Sequence, residues 1–227
     1  MARKTERKTA PRGKQEILIF GEDENDRRAL GELFRALRPD LNAVAIRTLR
    51  EPLILMRDPS RLATRKHNAK TVAAVVKARQ VAAQVVAVIA HQDCDAVEPA
   101  HKPLAERIET ELTSAGVPNP IAATPAWEME TWWMLFPDAL AATRRCWSRI
   151  DYANRDVGLI EGTKEKLRDA LRPRDRTARA SCPDYAESDS IAIAGHVRRL
   201  SLHAQPVGTS DSWASFVNKV CALKLAG

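Results

Sequence analysis

Residues 85–90 (VVAVIA) give the strongest strand signal in the chain. An uninterrupted run of apolar, mostly β-branched residues is typical of a central strand in a parallel sheet that is covered on both faces. Residues 16–20 (EILIF) form a second such run, which ends at Gly21. Shorter patterns at residues 42–47 and 120–124 predict two further strands.

Helical patterns lie between these strands. One is a stripe of apolar residues three or four positions apart, formed by Leu30, Leu33, Phe34 and Leu37. Residues 69–84 and 104–112 are also typical of helices, and Gly116 is a suitable C-terminal cap for the second. The alternation predicts right-handed βαβ units and therefore the α/β class, with an open, mostly parallel sheet of about four strands flanked by helices.

The predicted organisation has three parts. Residues 1–14 are polar and basic and are expected to form a flexible arm. Residues 15–127 form the α/β core. Strand signals fade from about residue 128 onward, so residues 128–227 are expected to be a mainly helical extension, or cap, packed on the core.

Composition excludes several classes of protein. The chain has 227 residues, 44% of them apolar, so it is long and apolar enough to fold around a core. No apolar stretch approaches the roughly 20 residues of a membrane span, and no secretory signal follows the basic N-terminus, so we expect a cytoplasmic protein without membrane contact.

Sequence motifs exclude several chemistries. The four cysteines are far apart and form no CxxC pair, so we expect no disulfide framework and no structural zinc site. The chain contains no HExxH motif, no P-loop and no GxSxG nucleophile elbow. Cys94 lies between two aspartates, whose negative charge is expected to raise its pKa and make the thiol less reactive.

The distribution of charge favours a polyanionic partner. The net charge is +7, and residues 35–82 carry eleven Lys/Arg against three acidic residues. Such clusters are either solvated helix faces or surfaces that bind nucleic-acid phosphates. In the second interpretation, we expect the partner to be DNA more readily than RNA. The residues expected to contact it are Arg61, Arg65, Lys66 and Lys70.

Acidic residues follow the two best strands. Glu22 and Asp26 follow residues 16–20, and Asp93 and Asp95 follow residues 85–90. The carboxyl ends of parallel strands meet at one edge of a sheet, and such close carboxylates need a cation to neutralise them. Oxygen ligands prefer hard ions, so we expect these four residues to bind Mg²⁺ or Mn²⁺. In the alternative interpretation, the acidic residues only cap helices, a role that suits Asp23 and Glu24.

Three segments resemble a known family. Residues 22–26 (EDEND) are similar to the E-G-x-x-D segment of TOPRIM (topoisomerase–primase) domains, although Asp23 replaces the usual glycine. Residues 93–95 (DCD) are similar to the TOPRIM D-x-D motif. Residues 124–135 (TPAWEMETWWML) resemble the E-x-W-x-L segment of small stand-alone TOPRIM-like proteins of the RloB-like group, which are associated with bacterial antiviral defence.

The resemblance covers roughly residues 16–135 and implies metal-dependent hydrolysis of nucleic-acid phosphodiester bonds. It implies that Glu22 acts as general acid/base or metal ligand and that Asp93 and Asp95 bind the metal. Glu130, or Glu128 in its place, is expected to add a ligand or to fix the tryptophan-rich helix. An ATPase partner protein is also implied, and self-association stays open.

Two alternatives come from other classes. The first is a TOPRIM-like subunit without catalytic activity that binds nucleic acid or an ATPase. The second is a receiver-like phosphoacceptor domain, which residues 17–28 also resemble. The tryptophans Trp127, Trp132 and Trp133 are expected to pack in the core in preference to stacking on bases.

Overall fold

A computed structural model describes residues 14–49 and 62–225 of the chain. Its four strands form one parallel sheet in the order β2-β1-β3-β4, which confirms the predicted α/β class. Their bounds are β1 Gln15–Phe20, β2 Ala45–Thr48, β3 Gln84–His91 and β4 Pro120–Ala123. Arg61 and all but the last residue of the predicted arm lie outside the described residues.

Three helices alternate with the strands, and six further helices follow β4 within the described part of the chain. The first three are α1 Glu24–Leu37, α2 Leu62–Arg79 and α3 His101–Ser114. The others are α4 Glu130–Trp133, α5 Pro137–Thr143, α6 Thr163–Leu171, α7 Arg176–Ser181, α8 Ser190–Arg199 and α9 Asp211–Ala222.

The sheet is buried on both faces. Successive side chains of a strand point to opposite faces. Ile17 and Ile19 of β1 therefore pack in one apolar cluster with α1 and the C-terminal helices. Leu18 and Phe20 pack in a second cluster with α2 and α3. This three-layer arrangement explains why the sequence of β1 and β3 is apolar without alternation.

Helix α1 begins immediately after β1. The Asp23 carboxylate accepts hydrogen bonds from the backbone N–H groups of Asn25 (2.6 Å) and Asp26 (3.4 Å), which caps the helix. Leu30 and Phe34 on the apolar face of α1 are buried against the sheet. The cap and the buried face together hold the first turn of α1, with Asp26, beside the carboxyl end of β1.

The tryptophan-rich helix α4 is part of the core. Trp132 and Trp133 are fully buried in the same cluster as Ile17 and Ile19. Their indole N–H groups donate to the hydroxyl oxygens of Ser212 (3.0 Å) and Ser190 (3.1 Å). The expected core role of these two tryptophans is confirmed, while Trp127 is only half-buried. The helical extension therefore shares one apolar cluster with the sheet.

The C-terminal region contains a disulfide bond between Cys146 and Cys182. The expectation that the scattered cysteines stay unpaired is wrong for this pair, because the fold brings together residues that are 36 positions apart. The nearby Trp147 indole N–H donates to the carbonyl oxygen of Pro183 (2.8 Å), so a second bond holds the same segment. Cys94 and Cys221 are free thiols.

None of the helices in the described ranges combines the length and the apolar character that crossing a membrane requires.

Reduction of the Cys146–Cys182 disulfide is expected to destabilise the protein by about 3–4 kcal/mol, because the bond closes a loop of 36 residues. Urea denaturation of the oxidised protein with and without dithiothreitol measures the change. Cys146→Ser should reproduce the effect of the reductant, and the control Cys221→Ser, which changes an exposed free thiol, should leave the free energy of unfolding unaltered. Four titratable thiols in the oxidised protein would contradict the assignment.

Candidate metal centre

The strand order creates a crevice at the carboxyl ends of β1 and β3. Helix α1 connects β1 to β2 over one face of the sheet, whereas α2 and α3 lie on the other face. The chain therefore leaves β1 and β3 toward opposite faces, and open α/β sheets bind ligands at such switch points. The residues that follow these two strands meet there.

Three side chains at this point form a group that could hold a metal ion. They are Asp26 in the first turn of α1, His91 at the end of β3 and Asp93 two residues later. One ligand atom from each residue lies within 4.8 Å of the others. We call these three residues the acidic centre.

His91 is the most constrained member of the acidic centre. It is 1% exposed, and its Nε2 lies 3.3 Å from Asp93 Oδ1. The two atoms are not aligned for a hydrogen bond, so Asp93 Oδ1 and both ring nitrogens have no hydrogen-bond partner among the described residues. Buried polar atoms without partners are costly, and a cation bound to one ring nitrogen and to Asp93 Oδ1 would satisfy those two atoms.

Gly21 makes room for this histidine. A Cβ atom at Gly21 would lie 2.9 Å from the Cβ of His91 and 3.2 Å from its Nδ1, closer than side chains pack. The buried Arg27 guanidinium donates to the Gly21 carbonyl oxygen (2.7 Å) and fixes the backbone at this position. The glycine that ends β1 is therefore needed for close packing against His91.

The electrostatics of the acidic centre reflect its burial. Burial raises the pKa of Asp26 to about 6, against the opposing effect of the positive charge of His91. Burial also acts to lower the pKa of His91, but the contact with Asp93 and the charges of Asp26 and Glu22 outweigh it and raise that pKa to about 9. Without a metal, His91 is therefore the cation that neutralises these carboxylates at neutral pH.

The structure brings together two of the four predicted metal ligands, Asp26 and Asp93. Glu22 lies at the same edge of the sheet, close enough for its charge to act on His91, but outside the acidic centre. Asp95 is exposed with a positive φ of 51°, and its backbone N–H donates to the carbonyl oxygen of Trp127 (2.9 Å). That turn separates its side chain from the centre.

His91 is the member of the acidic centre that the sequence interpretation missed. Residues two apart on an extended chain point to the same side, and this spacing relates His91 to Asp93 as well as Asp93 to Asp95. The H-x-D pattern of His91 and Asp93 therefore indicates a shared site as strongly as the D-x-D pattern of Asp93 and Asp95 does.

Glu130 is a buried carboxyl group that contacts Tyr185. It accepts a hydrogen bond from the Tyr185 hydroxyl (2.8 Å), whose oxygen is also 3.2 Å from Ser190 Oγ. Burial, together with the charge of Glu128, raises the pKa of Glu130 to about 8. Burial also raises the pKa of Tyr185, and the charges of Glu130 and Asp26 act in the same direction.

Glu128 connects the acidic centre to α6. Its carboxylate accepts hydrogen bonds from the Lys164 backbone N–H (2.8 Å) and the Thr163 hydroxyl (3.3 Å) at the start of that helix. Burial raises the pKa of Glu128, and the charge of Asp93 contributes to the shift. The Lys164 ammonium pairs with Glu187, whose charge reaches Asp26. The C-terminal helical region therefore completes the site.

The residues predicted to bind nucleic acid are placed differently. Lys66 and Lys70 are exposed on α2, while the Arg65 side chain is half-buried and pairs with Glu111 of α3 (3.2 Å).

Cys94 behaves as expected, since burial and its acidic neighbours raise its pKa to about 11.

Comparison of the chain with family models, with curated proteins and with solved structures finds no match.

The donor set of the acidic centre fits a divalent cation. One imidazole and two carboxylates suit Mn²⁺ and other first-row transition metals better than Mg²⁺, which prefers oxygen ligands. The all-oxygen site expected from Glu22, Asp26, Asp93 and Asp95 would favour Mg²⁺ as much as Mn²⁺. The buried, unpartnered nitrogens of His91 therefore shift the preference toward Mn²⁺.

Glu130→Gln is expected to change the pH dependence of stability in metal-free protein. The folded pKa of about 8 exceeds the unfolded value of 4.5, so the folded state binds more protons between these pH values. The contribution of the protonated Glu130 carboxyl group to the free energy of unfolding is therefore complete below about pH 4.5 and is lost as the pH rises toward 8. The variant should be more stable than the wild type at pH 8 by roughly 2 kcal/mol, because glutamine keeps an acceptor for Tyr185 and carries no charge.

Urea denaturation at pH 5, 6, 7 and 8 in the presence of chelator measures this difference. Glu165→Gln, which changes an exposed carboxylate on α6, is the matched control and should follow the wild-type curve. A constant difference between Glu130→Gln and wild type across this range would contradict the raised pKa.

Proposed function

We propose that the protein is a metal-dependent nuclease that hydrolyses nucleic-acid phosphodiester bonds with Mn²⁺ or Mg²⁺ bound at the acidic centre. The observation that carries this proposal is the convergence of Asp26, His91 and Asp93 at the switch point of the sheet, with the imidazole nitrogens buried and unpartnered. The TOPRIM-like motifs around Glu22 and Asp93 and the net charge of +7 support the same function.

The residues have distinct roles in this proposal. Asp26, His91 and Asp93 hold the metal, which would activate water and stabilise the charge developing on the phosphoryl group. Glu22 acts as general acid/base from the same edge of the sheet, as the resemblance implies, and Asp95 orders the loop after β3. Glu130 is a positioning residue, because its bond to Tyr185 joins α4 to the segment that carries Glu187.

Other parts of the proposal rest on the resemblance alone. They are a role in bacterial antiviral defence, an ATPase partner and a cytoplasmic location. A subunit that binds nucleic acid without cleaving it is the same proposal without the chemical step.

A receiver-like phosphoacceptor is the second candidate, and the strand order favours it. The order β2-β1-β3-β4 matches the first four strands of the flavodoxin-like arrangement, which receivers share, with acidic residues after β1 and β3. His91 at the end of β3 distinguishes the two candidates, because an imidazole beside Asp26 and Asp93 suits a transition metal.

Purified protein is expected to cleave single-stranded DNA or RNA, or plasmid DNA, with Mn²⁺ more strongly than with Mg²⁺, and to lose this activity in chelator. Asp93→Asn and His91→Ala should each reduce cleavage by about 100-fold or more, because each removes a metal ligand. Asp138→Asn removes an exposed carboxylate on α5 and should retain wild-type activity.

Other outcomes would separate the candidates. Salt-sensitive nucleic-acid binding and tight Mn²⁺ binding without cleavage would favour the subunit without catalytic activity. Acetyl-phosphate labelling of Asp93 or Asp26, with no cleavage, would favour the receiver. Equal cleavage by wild type and Asp93→Asn would contradict the proposed site.

A further inference from the structure

Helix α7 is unusual because none of its six residues is buried. It contains Arg176 and Arg179, which are three positions apart and therefore neighbours on the helix surface. Neither guanidinium takes part in an ion pair or hydrogen bond with another described residue. Core packing gives no reason for these two arginines.

A local cap begins α7, and one covalent bond ties its other end to the rest of the protein. The Asp175 carboxylate caps its first turn by accepting from the Ala178 backbone N–H (2.8 Å). At its other end, Cys182 follows the helix and forms the disulfide with Cys146. An exposed helix is therefore presented at a fixed position without a buried face.

A line of cations runs along α6, the helix that precedes α7. Lys164, Arg168 and Arg172 recur every four residues, so they lie along one side of α6 and its C-terminal cap. Arg172 forms a bidentate pair with Asp184 (2.8 and 2.7 Å). The charges of Arg179 and Arg168 add to that bond in lowering the pKa of Asp184.

The charge of this region is positive after its own acidic residues are counted. Residues 164–181 carry seven Lys/Arg against three Asp/Glu, a net charge of +4, and the acidic partners Asp184 and Glu187 reduce it to +2. The line spans about 12 Å along α6 at a rise of 1.5 Å per residue. Its first residue, Lys164, contacts Glu128 and Glu187, which interact electrostatically with Asp93 and Asp26 respectively.

We propose that this basic face of α6 and α7 is the surface along which a nucleic-acid strand reaches the acidic centre. The proposal rests on the nucleic-acid substrate of the proposed function. The chemistry recognised is the phosphate backbone, because guanidinium groups bind phosphate oxygens and release counterions without reading bases. The basic residues of α2, where Lys66 and Lys70 are also exposed, are the rival surface, and the variants below distinguish the two.

The double variant Arg176→Gln/Arg179→Gln tests this surface. In chelator, where no cleavage occurs, its affinity for a fluorescein-labelled single-stranded 30-mer of DNA or RNA should fall about tenfold at low salt. Fluorescence anisotropy across a salt series should also show the slope of log affinity against log salt reduced by about 1–2, one unit per lost phosphate contact. Both side chains are exposed, so folding should be unchanged.

Arg199→Gln/Lys224→Gln is the matched control, since it removes two exposed positive charges outside α2, α6 and α7. It should keep the wild-type slope, and Lys66→Gln/Lys70→Gln should lose less affinity than the arginine variant. An equal loss in all three variants, or a larger loss in the α2 variant, would overturn the proposal.

The outcomes also separate this proposal from the nuclease. Metal-dependent cleavage with unaltered binding by the arginine variant would overturn the surface and leave the proposed function intact. Failure of the wild-type protein to bind either oligonucleotide at about 50 mM salt, which is below physiological ionic strength, would overturn both the proposed surface and the proposed nuclease function. Binding through α7 without cleavage would support the surface and count against the chemistry.

Discussion

The structure depends on a buried histidine held between carboxylates at the point where two parallel strands end. His91 closes β3, and its side chain has no solvent and no hydrogen-bond partner among the described residues. Either a proton on the imidazole or a metal ion must neutralise Asp26 and Asp93 there. The two cations are exclusive, because an imidazole that binds a metal has given up its proton on the liganding nitrogen. The close approach of Gly21 to His91 helps to bury this side chain.

The sheet could be predicted from the sequence because its signals are local. The runs at 16–20 and 85–90 are apolar on both faces, and the structure buries both faces of β1 and β3. The stripe from Leu30 to Phe34 likewise reports the buried face of α1. The disulfide and α7 could not be predicted in this way. Cys146 and Cys182 meet only through tertiary folding, and α7 has no apolar stripe because it buries nothing.

The sequence predicts where the candidate site lies, but not which side chains form it. The rule that strand ends converge located Asp26 and Asp93 correctly, because it depends only on parallel strands and strand order. Side-chain direction within each loop depends on backbone angles that spacing does not reveal, and Asp95 takes a left-handed conformation. The contributions of Lys164, Tyr185 and Glu187 come from segments that follow all three motifs in the sequence and carry no local signal.

The central claim is that the acidic centre binds a metal ion, and the most direct measurement is a crystal structure of the protein grown with Mn²⁺. Anomalous diffraction locates manganese independently of any assumed ligand. We predict a peak within about 2.0–2.4 Å of Asp26, His91 and Asp93 ligand atoms, distances typical of bound divalent cations. A map with no peak at the end of β3, and with His91 still paired to Asp93 at saturating Mn²⁺, would contradict the account.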